Sequence, residues 1–238
     1  MSLALFLVTE LPAGDGYRLD GPEGHHAATV ARLRVGEGLL LGDGRGGTAT
    51  AVVTAVGRGT LDLTITTREY VRPPEPRLVV VQGIAKGDRG ELAVQAMTEA
   101  GVDRIVPWAA ARSVVRWTDD RSLRRWRATA LQAAKQARRA WVPEVSDPVT
   151  TADLARLPAP VVVLHEESST PLSRVDLGAT GTGEVTLVVG PEGGIAPAEL
   201  ETLAAAGAIV ARLGPDVLRT STAGVAALAV LSVRLGRW

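Results

Sequence analysis

Residues 72–77 read Arg-Pro-Pro-Glu-Pro-Arg, with three prolines in four positions. Proline fixes φ and has no amide N–H, so this stretch belongs to neither a helix interior nor a central strand. It divides a chain of 238 residues into two parts of different character. That length suits two modest domains, and the expected limits are 1–72 and 73–238.

The first part reads as short strands at Leu3–Val8, Glu37–Leu41, Thr48–Val56 and Leu61–Arg68. Apolar and polar residues alternate from Leu61 to Thr66 with the period of a half-buried strand. Only His25–Arg32 has a helical look. The segment Gly42–Gly47 matches the spacing G-x-G-x-x-G. A dinucleotide loop of that form needs a helix after it, whose amides hold the pyrophosphate. A threonine- and valine-rich stretch follows instead, so a hairpin turn is expected. Strands separated by glycine-rich turns over this length predict a small β-barrel.

The second part alternates strand and helix. Leu78–Ile84 is a nearly unbroken apolar run, interrupted at Gln82 and Gly83, as in a strand buried on both faces. A helix is expected over Asp88–Ala100, capped by Asp88, with Leu92, Ala93, Ala96, Met97 and Ala100 on its inner face and Gly101 ending it. Further strands are expected at Arg104–Pro107, Val161–His165, Val185–Val189 and Ala208–Leu213. Further helices are expected near Asp119–Arg139 and Ala152–Leu157, from Pro197, and from Leu218 to Arg234. This order predicts an α/β domain with a mainly parallel sheet.

Composition excludes several chemistries. Cysteine is absent, which removes disulfides, thiolate metal sites and a cysteine nucleophile. The histidines are His25, His26 and His165 only, so no metal is expected. The start, Met-Ser-Leu-Ala-Leu-Phe, lacks a basic region, and no apolar run reaches membrane-spanning length. A soluble cytoplasmic protein without membrane contact is the expectation.

Two loops point to a ligand. In Val188–Pro197 a buried strand runs into Gly190-Pro191-Glu192-Gly193-Gly194 before a helix begins. Glycine lets a ligand approach the main chain, and open α/β sheets bind ligands where parallel strands end. In Leu213–Ala223 a strand again ends in glycine, Gly214, and a helix starts near Arg219. An arginine there opposes the helix dipole and calls for an anionic partner. The helix behind it carries Ala223, Gly224, Ala226, Ala227 and Ala229, a face suited to close packing.

Residues 112–139 hold nine basic side chains against Asp119 and Asp120, in a chain of zero net charge. Trp117 and Trp126 are interleaved with them. Arginine matches phosphate geometry, and arginine and tryptophan both stack on bases, so the segment predicts an RNA footprint.

Taken together these segments resemble the RsmE-type family, which methylates uridine N3 in 16S ribosomal RNA. The matching residues include Gly24-His25-His26 with Val30 and Arg32, and Asp43-Gly44. They continue with Lys86-Gly87-Asp88-Arg89 and Glu91, Thr98–Val102, Ile105–Pro107, Arg112–Val115, Arg125-Trp126, Gln136 with Arg139, and Pro143-Glu144. The most specific are Gly190–Gly194 and Leu213-Gly214 with Leu218-Arg219-Thr220. The resemblance implies a PUA-like barrel that helps bind RNA, then a SPOUT-class α/β domain with a C-terminal trefoil knot. It implies a homodimer acting on 16S ribosomal RNA in the small subunit. S-adenosylmethionine would be held by Leu164, Gly190, Pro191, Glu192, Gly193, Gly194, Leu213, Gly214, Leu218, Arg219 and Thr220. Arg219 is the candidate catalytic residue. The candidate RNA contacts are His25, His26, Arg32, Lys86, Arg89, Arg112, Arg116, Arg125, Arg138 and Arg139.

The chain departs from the family pattern at Ala96, Lys135–Ala137, Ala196 and Ser221, where the family carries other polar residues. An inactive RNA-binding protein of the same fold would fit the changes at Ala196 and Ser221. A metabolic α/β enzyme with the barrel as an appendage would have no RNA affinity.

Overall fold

The computed structural model describes residues 3–117, 119–158, 160–178 and 183–238. The chain forms two compact units. Met1–Pro73 and Ala134–Val142 make the first; Pro74–Ala133 and Pro143–Trp238 make the second.

The first unit is a five-stranded sheet of β1 (Leu5–Leu7), β2 (Gly16–Leu19), β3 (Gly38–Gly42), β4 (Gly47–Gly57) and β5 (Thr60–Tyr70), in the order β1-β3-β4-β5-β2. β1 runs parallel to β3 and the other pairs are antiparallel. Side chains alternate as the sequence predicts. Ala49, Ala51, Val53, Leu61, Leu63 and Ile65 point to one face and close on Phe6, Leu19, Leu39 and Leu41. The segment Gly42–Gly47 is the β3–β4 hairpin turn. The Asp43 carboxylate accepts the N–H groups of Arg45 at 2.7 Å and Gly47 at 3.0 Å, and no helix follows.

The helical stretch starts earlier than the sequence indicates. α1 spans Gly21–His25 and continues into a π-helical turn, His26–Val30. The segment from Ala134 seats on this unit by side-chain contacts. Lys135 Nζ meets the Glu23 carboxylate at 2.5 Å, and the Trp141 indole N–H donates to Val71 O at 2.8 Å.

The second unit contains β6 (Arg77–Gly83), α2 (Arg89–Glu99), β7 (Arg104–Trp108), α3 (Arg121–Gln136, entering the first unit at its end), β8 (Glu144–Val145), α4 (Thr151–Leu154) and β9 (Val161–Leu164). β10 (Glu184–Val189), α5 (Pro197–Ala205), β11 (Ile209–Ala211) and α6 (Thr220–Arg234) complete it. Its six strands lie in the order β11-β9-β10-β6-β7-β8, and every ladder is parallel. β6 is buried on both faces as expected. Leu78 and Val80 pack with Val94, Met97, Trp126, Leu228 and Leu231, the α2, α3 and α6 side. Val79 and Val81 pack with Leu154, Ile195 and Leu203, the α4 and α5 side. The result is three layers, with each large apolar side chain removed from water contributing about 1.5–3 kcal/mol.

Three sequence expectations need correction. Asp88 precedes α2 but makes no side-chain cap. Leu92 is exposed, because the inner face of α2 is Gly90, Ala93, Val94, Met97 and Thr98. Trp126 is buried to 2 % exposure and is not free to stack on a base. Its indole lies over Gly90, where a Cβ would come within 2.8 Å of the ring, and Trp117 meets it edge-on at 5.0 Å.

The small-residue face of α6 packs internally through Gly224 and Ala227. A Cβ on Gly224 would approach Met97 Sδ to 2.6 Å. Beyond α6, Arg237 pairs with the Asp103 carboxylate at 2.7 Å, with 9 % and 7 % of the two side chains exposed. Among the described residues no helix is long and apolar enough to cross a membrane.

Candidate active site

β9, β10 and β11 end side by side, and the loops that leave them wall a cleft of about 680 Å³. The cleft therefore lies at the carboxyl edge of a parallel sheet.

The loop after β10 is built for close main-chain passage. Its turn closes by the Gly194 N–H donating to Pro191 O at 2.9 Å, with Gly194 at φ 71°. A Cβ on Gly193 would stand 2.9 Å from the Arg112 carbonyl oxygen. On the facing strand, a Cβ on Gly83 would stand 2.5 Å from the Pro191 nitrogen. Each larger residue would force backbone apart.

The two breaks in the β6 apolar run are thus explained together. Gly83 admits the loop, and Gln82 ties it down. The buried Gln82 amide donates to Thr220 Oγ1 at 2.8 Å, and that hydroxyl donates to Gly190 O at 2.8 Å. One side chain thereby joins the start of α6 to the loop after β10.

Two carboxylates fix the remaining edges. Glu192 accepts the Lys86 N–H at 3.0 Å and faces Arg89 at 3.3 Å. Glu199, 8 % exposed, accepts the Ala111 N–H at 2.9 Å, the Thr151 hydroxyl at 2.7 Å and the Ala196 N–H at 3.2 Å. Glu199 sits in the first turn of α5, where the helix dipole favours negative charge. It supplies the reciprocal half of a capping box, accepting the N-cap N–H, while Ala196 has no side chain to supply the other half. By holding Ala111 it seats the next residue, Arg112, against Gly193, whose carbonyl accepts from Arg112 Nη1 at 3.3 Å.

All eleven residues expected at the cofactor line this one cleft, from Leu164 through Gly190–Gly194 to Leu213, Gly214 and Leu218–Thr220. Arg219 is exposed at the N-cap of α6, and its carbonyl accepts the N–H groups of Thr222 and Ala223 at 2.9 Å. Of the ten residues expected at RNA, Arg89 and Arg112 line the cleft. Lys86 and Arg116 are exposed in the second unit, and Arg125 pairs with Glu91 at 3.0 Å. His25, His26, Arg32, Arg138 and Arg139 belong to the first unit.

The sequence reading missed His165, Glu166, Glu167, Arg212 and Asp216, which also line the cleft. They flank the ends of β9 and β11, and that position was the available signal. Glu199 was legible as an acid two residues after Pro197, a helix-start pattern. Among the described residues no group of three or more histidine, aspartate or glutamate side chains gathers as a metal site.

Residues 73–232 match the model of an RNA methyltransferase domain, and residues 19–66 match that of an RNA methyltransferase PUA domain. The chain is 47% identical to ribosomal RNA small subunit methyltransferase E of Mycobacterium bovis, over 100% of this chain and 94% of that protein. It is 31% identical to the Bacillus subtilis protein of the same name, over 91% and 89% of the two chains. Among solved structures, ribosomal RNA small subunit methyltransferase E of Neisseria gonorrhoeae, bound to S-adenosylmethionine, superposes with a TM-score of 0.85 at 27% identity, covering 98% of each chain. A Legionella pneumophila chain solved with the same cofactor gives 0.87 at 27% identity, again over 98% of each chain. The loops that meet at this cleft are thus set in a fold and a full-length sequence match that agree: the chain belongs to the RsmE-type family of RNA methyltransferases.

Proposed function

We propose that this chain transfers a methyl group from S-adenosylmethionine to N3 of one uridine in the 16S ribosomal RNA of the small subunit. One observation carries the reading. The loops after three adjacent parallel strands converge on a single cleft, and it contains every residue expected at the cofactor.

The donor set fits that cofactor. Arg89, Arg112, Arg212 and Arg219 face Glu166, Glu167, Glu192 and Asp216 around the cleft. Such a balance suits a ligand carrying both charges of an amino acid and a sulfonium, and suits a polyphosphate poorly. The backbone of Leu164, Gly190, Gly193, Gly194, Leu213, Gly214 and Leu218 would hold it, with Thr220 fixing two of the loops to each other. When bound, the cofactor supplies an electrophilic methyl group.

The rest falls to the protein. N3 of uracil is an imide nitrogen hidden by pairing and stacking, so the base must leave its stack to react. N3 gives its proton to solvent ahead of the methyl, and the negative charge left behind gathers on the flanking oxygens until the N–CH3 bond forms. Arg219, exposed beside the cleft, offers a guanidinium to that charge. Holding the reacting atoms in line supplies much of the remaining acceleration. We read the C-terminal segment through α6 as the trefoil of the SPOUT class, and the protein as a cytoplasmic homodimer whose first unit takes part in RNA binding.

The test is incorporation of labelled methyl into small subunits from cells lacking this protein, followed by nucleoside analysis. A 3-methyluridine at one site is expected. Arg219→Ala should lower incorporation by about a hundredfold or more, the scale of losing one charge-stabilising donor. Cofactor binding with no incorporation by the unaltered chain would leave the inactive RNA-binding protein instead.

A further inference from the structure

The buried part of β6, Leu78–Gly83, carries one polar side chain, Gln82. Leu78, Val80 and Gln82 alternate onto one face, and the first two pack there with α2 and α6. Gln82 is 0 % exposed, and its Oε1 has no hydrogen-bond partner among the described residues. A buried acceptor left unpaired costs stability, and a leucine would continue the apolar row without that cost. Stability alone does not account for a glutamine here.

What the amide holds is the start of α6. Gln82 lies in register with Val189, the last residue of β10, beside the point where the glycine loop leaves the strand. Its amide donates to Thr220 Oγ1 at 2.8 Å, and Thr220, 7 % exposed, donates in turn to Gly190 O at 2.8 Å. The carbonyl end faces α6 one turn further on, where a Cβ on Gly224 would stand 3.6 Å from Gln82 Oε1. Thr220 and Gly224 share a helix face, so one carboxamide sets both the height and the approach of the first turn.

Arg219 immediately precedes Thr220. It is the N-cap of α6 and makes no side-chain capping bond. Its carbonyl accepts the Thr222 and Ala223 N–H groups at 2.9 Å, so its main chain moves with the first turn. The Thr220 hydroxyl thus ties the root of the Arg219 side chain to the first carbonyl of the loop after β10. Gln82 fixes that tie without lining the cleft itself.

We propose that Gln82 is a positioning residue for methyl transfer: through Thr220 it holds Arg219 in register with the loop after β10, and so with the cofactor's methyl group. The inference rests on the methyltransferase reading and on the part that Arg219 plays in it.

The experiment uses the full chain with Gln82→Leu, Gln82→Met, Arg219→Ala, and Gln82→Leu combined with Arg219→Ala. Thr220→Val cuts the same link from its other end. Thermal melting, S-adenosylmethionine affinity by calorimetry, and kcat and KM for methyl transfer to small subunits from cells lacking this protein are measured. The Gln82 variants should fold, and should keep the parent's cofactor affinity and its KM for the subunit. Their kcat should fall about ten- to a hundredfold, the scale of misplacing a reacting group by about an ångström. Thr220→Val should lower kcat to the same extent. In the Arg219→Ala background, Gln82→Leu should lower kcat no further, because the group it orients is gone. A parental kcat in either Gln82 variant would overturn the inference. So would a kcat loss that persists in full without Arg219, or one matched by an equal loss of cofactor affinity, since the link would then only hold the loop. Absence of methyl transfer by the unaltered chain would remove the functional reading and this inference together, whereas transfer by the unaltered chain with parental kcat in the variants would remove this inference alone.

Discussion

Glu199 offers the sharpest test of how the cleft is held. Its carboxylate gathers the Ala111 N–H, the Thr151 hydroxyl and the Ala196 N–H at a site 8 % exposed. Glu199→Ala strands those donors. Each buried donor left without a partner costs about 1–3 kcal/mol; the Thr151 oxygen still accepts the Trp108 indole N–H at 3.2 Å, but its own O–H loses its acceptor. The expected loss is about 3–5 kcal/mol. For a chain of this size that lowers the melting temperature by about 6–20 °C. Glu199→Gln keeps one acceptor for Ala111 and Thr151 but turns an amide donor towards the Ala196 N–H, so about 1–2 kcal/mol is expected. The same changes unseat Arg112 from Gly193, and cofactor affinity should fall by about tenfold, or 1.4 kcal/mol, in the alanine variant. Thermal melts and calorimetric titration with S-adenosylmethionine read both effects. If Glu199→Ala melts within a degree of the parent and binds the cofactor equally well, the carboxylate does not organise this edge and the reasoning fails.

Thr220→Val removes the hydroxyl between Gln82 and Gly190 and should cost about 2 kcal/mol by denaturant titration, with Thr220→Ser close to the parent. Gly83→Ala places a methyl group 2.5 Å from the Pro191 nitrogen and should abolish measurable cofactor binding, while a folded variant with full affinity would refute the close pass. Hydrogen bonds from the Thr150 side chain, then its backbone, hold Asp153 below the usual 3.8, and the Arg18 hydrogen bond does the same for Asp62. Both carboxylates therefore contribute stability that is present above about pH 4 and lost as pH falls through their lower folded values. Asp153→Asn should flatten that acid limb of stability and leave its shape near neutral pH unchanged.

The β6 run shows what the sequence could and could not express. A strand with six of its seven residues buried, from Leu78 to Gly83, was legible from apolar continuity. The breaks at Gln82 and Gly83 were visible too. Their meaning was not, because Gln82 answers Thr220, 138 positions away. The glycine loops stood out because clustered glycines at strand ends mark close main-chain passage, and the structure brings them to one cleft. The Glu166, Glu167 and Asp216 side of the cleft left no such trace, since exposed acids are common on any surface. Trp126 was misread from its arginine neighbours. The stripe of Leu123, Trp126, Ala130 and Ala133 at helical spacing would have placed it in the core. β2 and β8 escaped notice because they are short edge strands, and such strands need only a little apolar surface. Nothing local in Ala134–Val142 announces its seat on the first unit. That seat depends on Glu23, Val71 and the turn at Gly46.

Two glycines at the loop after β10, Gly193 within it and Gly83 beneath it, cannot grow without pushing backbone apart. This limits what mutation can do to an inhibitor. A compound that reads the loop amides and carbonyls, and ignores the surrounding side chains, meets a surface that point changes scarcely alter. Escape by substitution at Gly83 or Gly193 would displace the loop proposed to seat the cofactor together with the drug's site. Contacts to Glu166, Glu167 or Asp216 would bring selectivity, and with it the ordinary route to resistance.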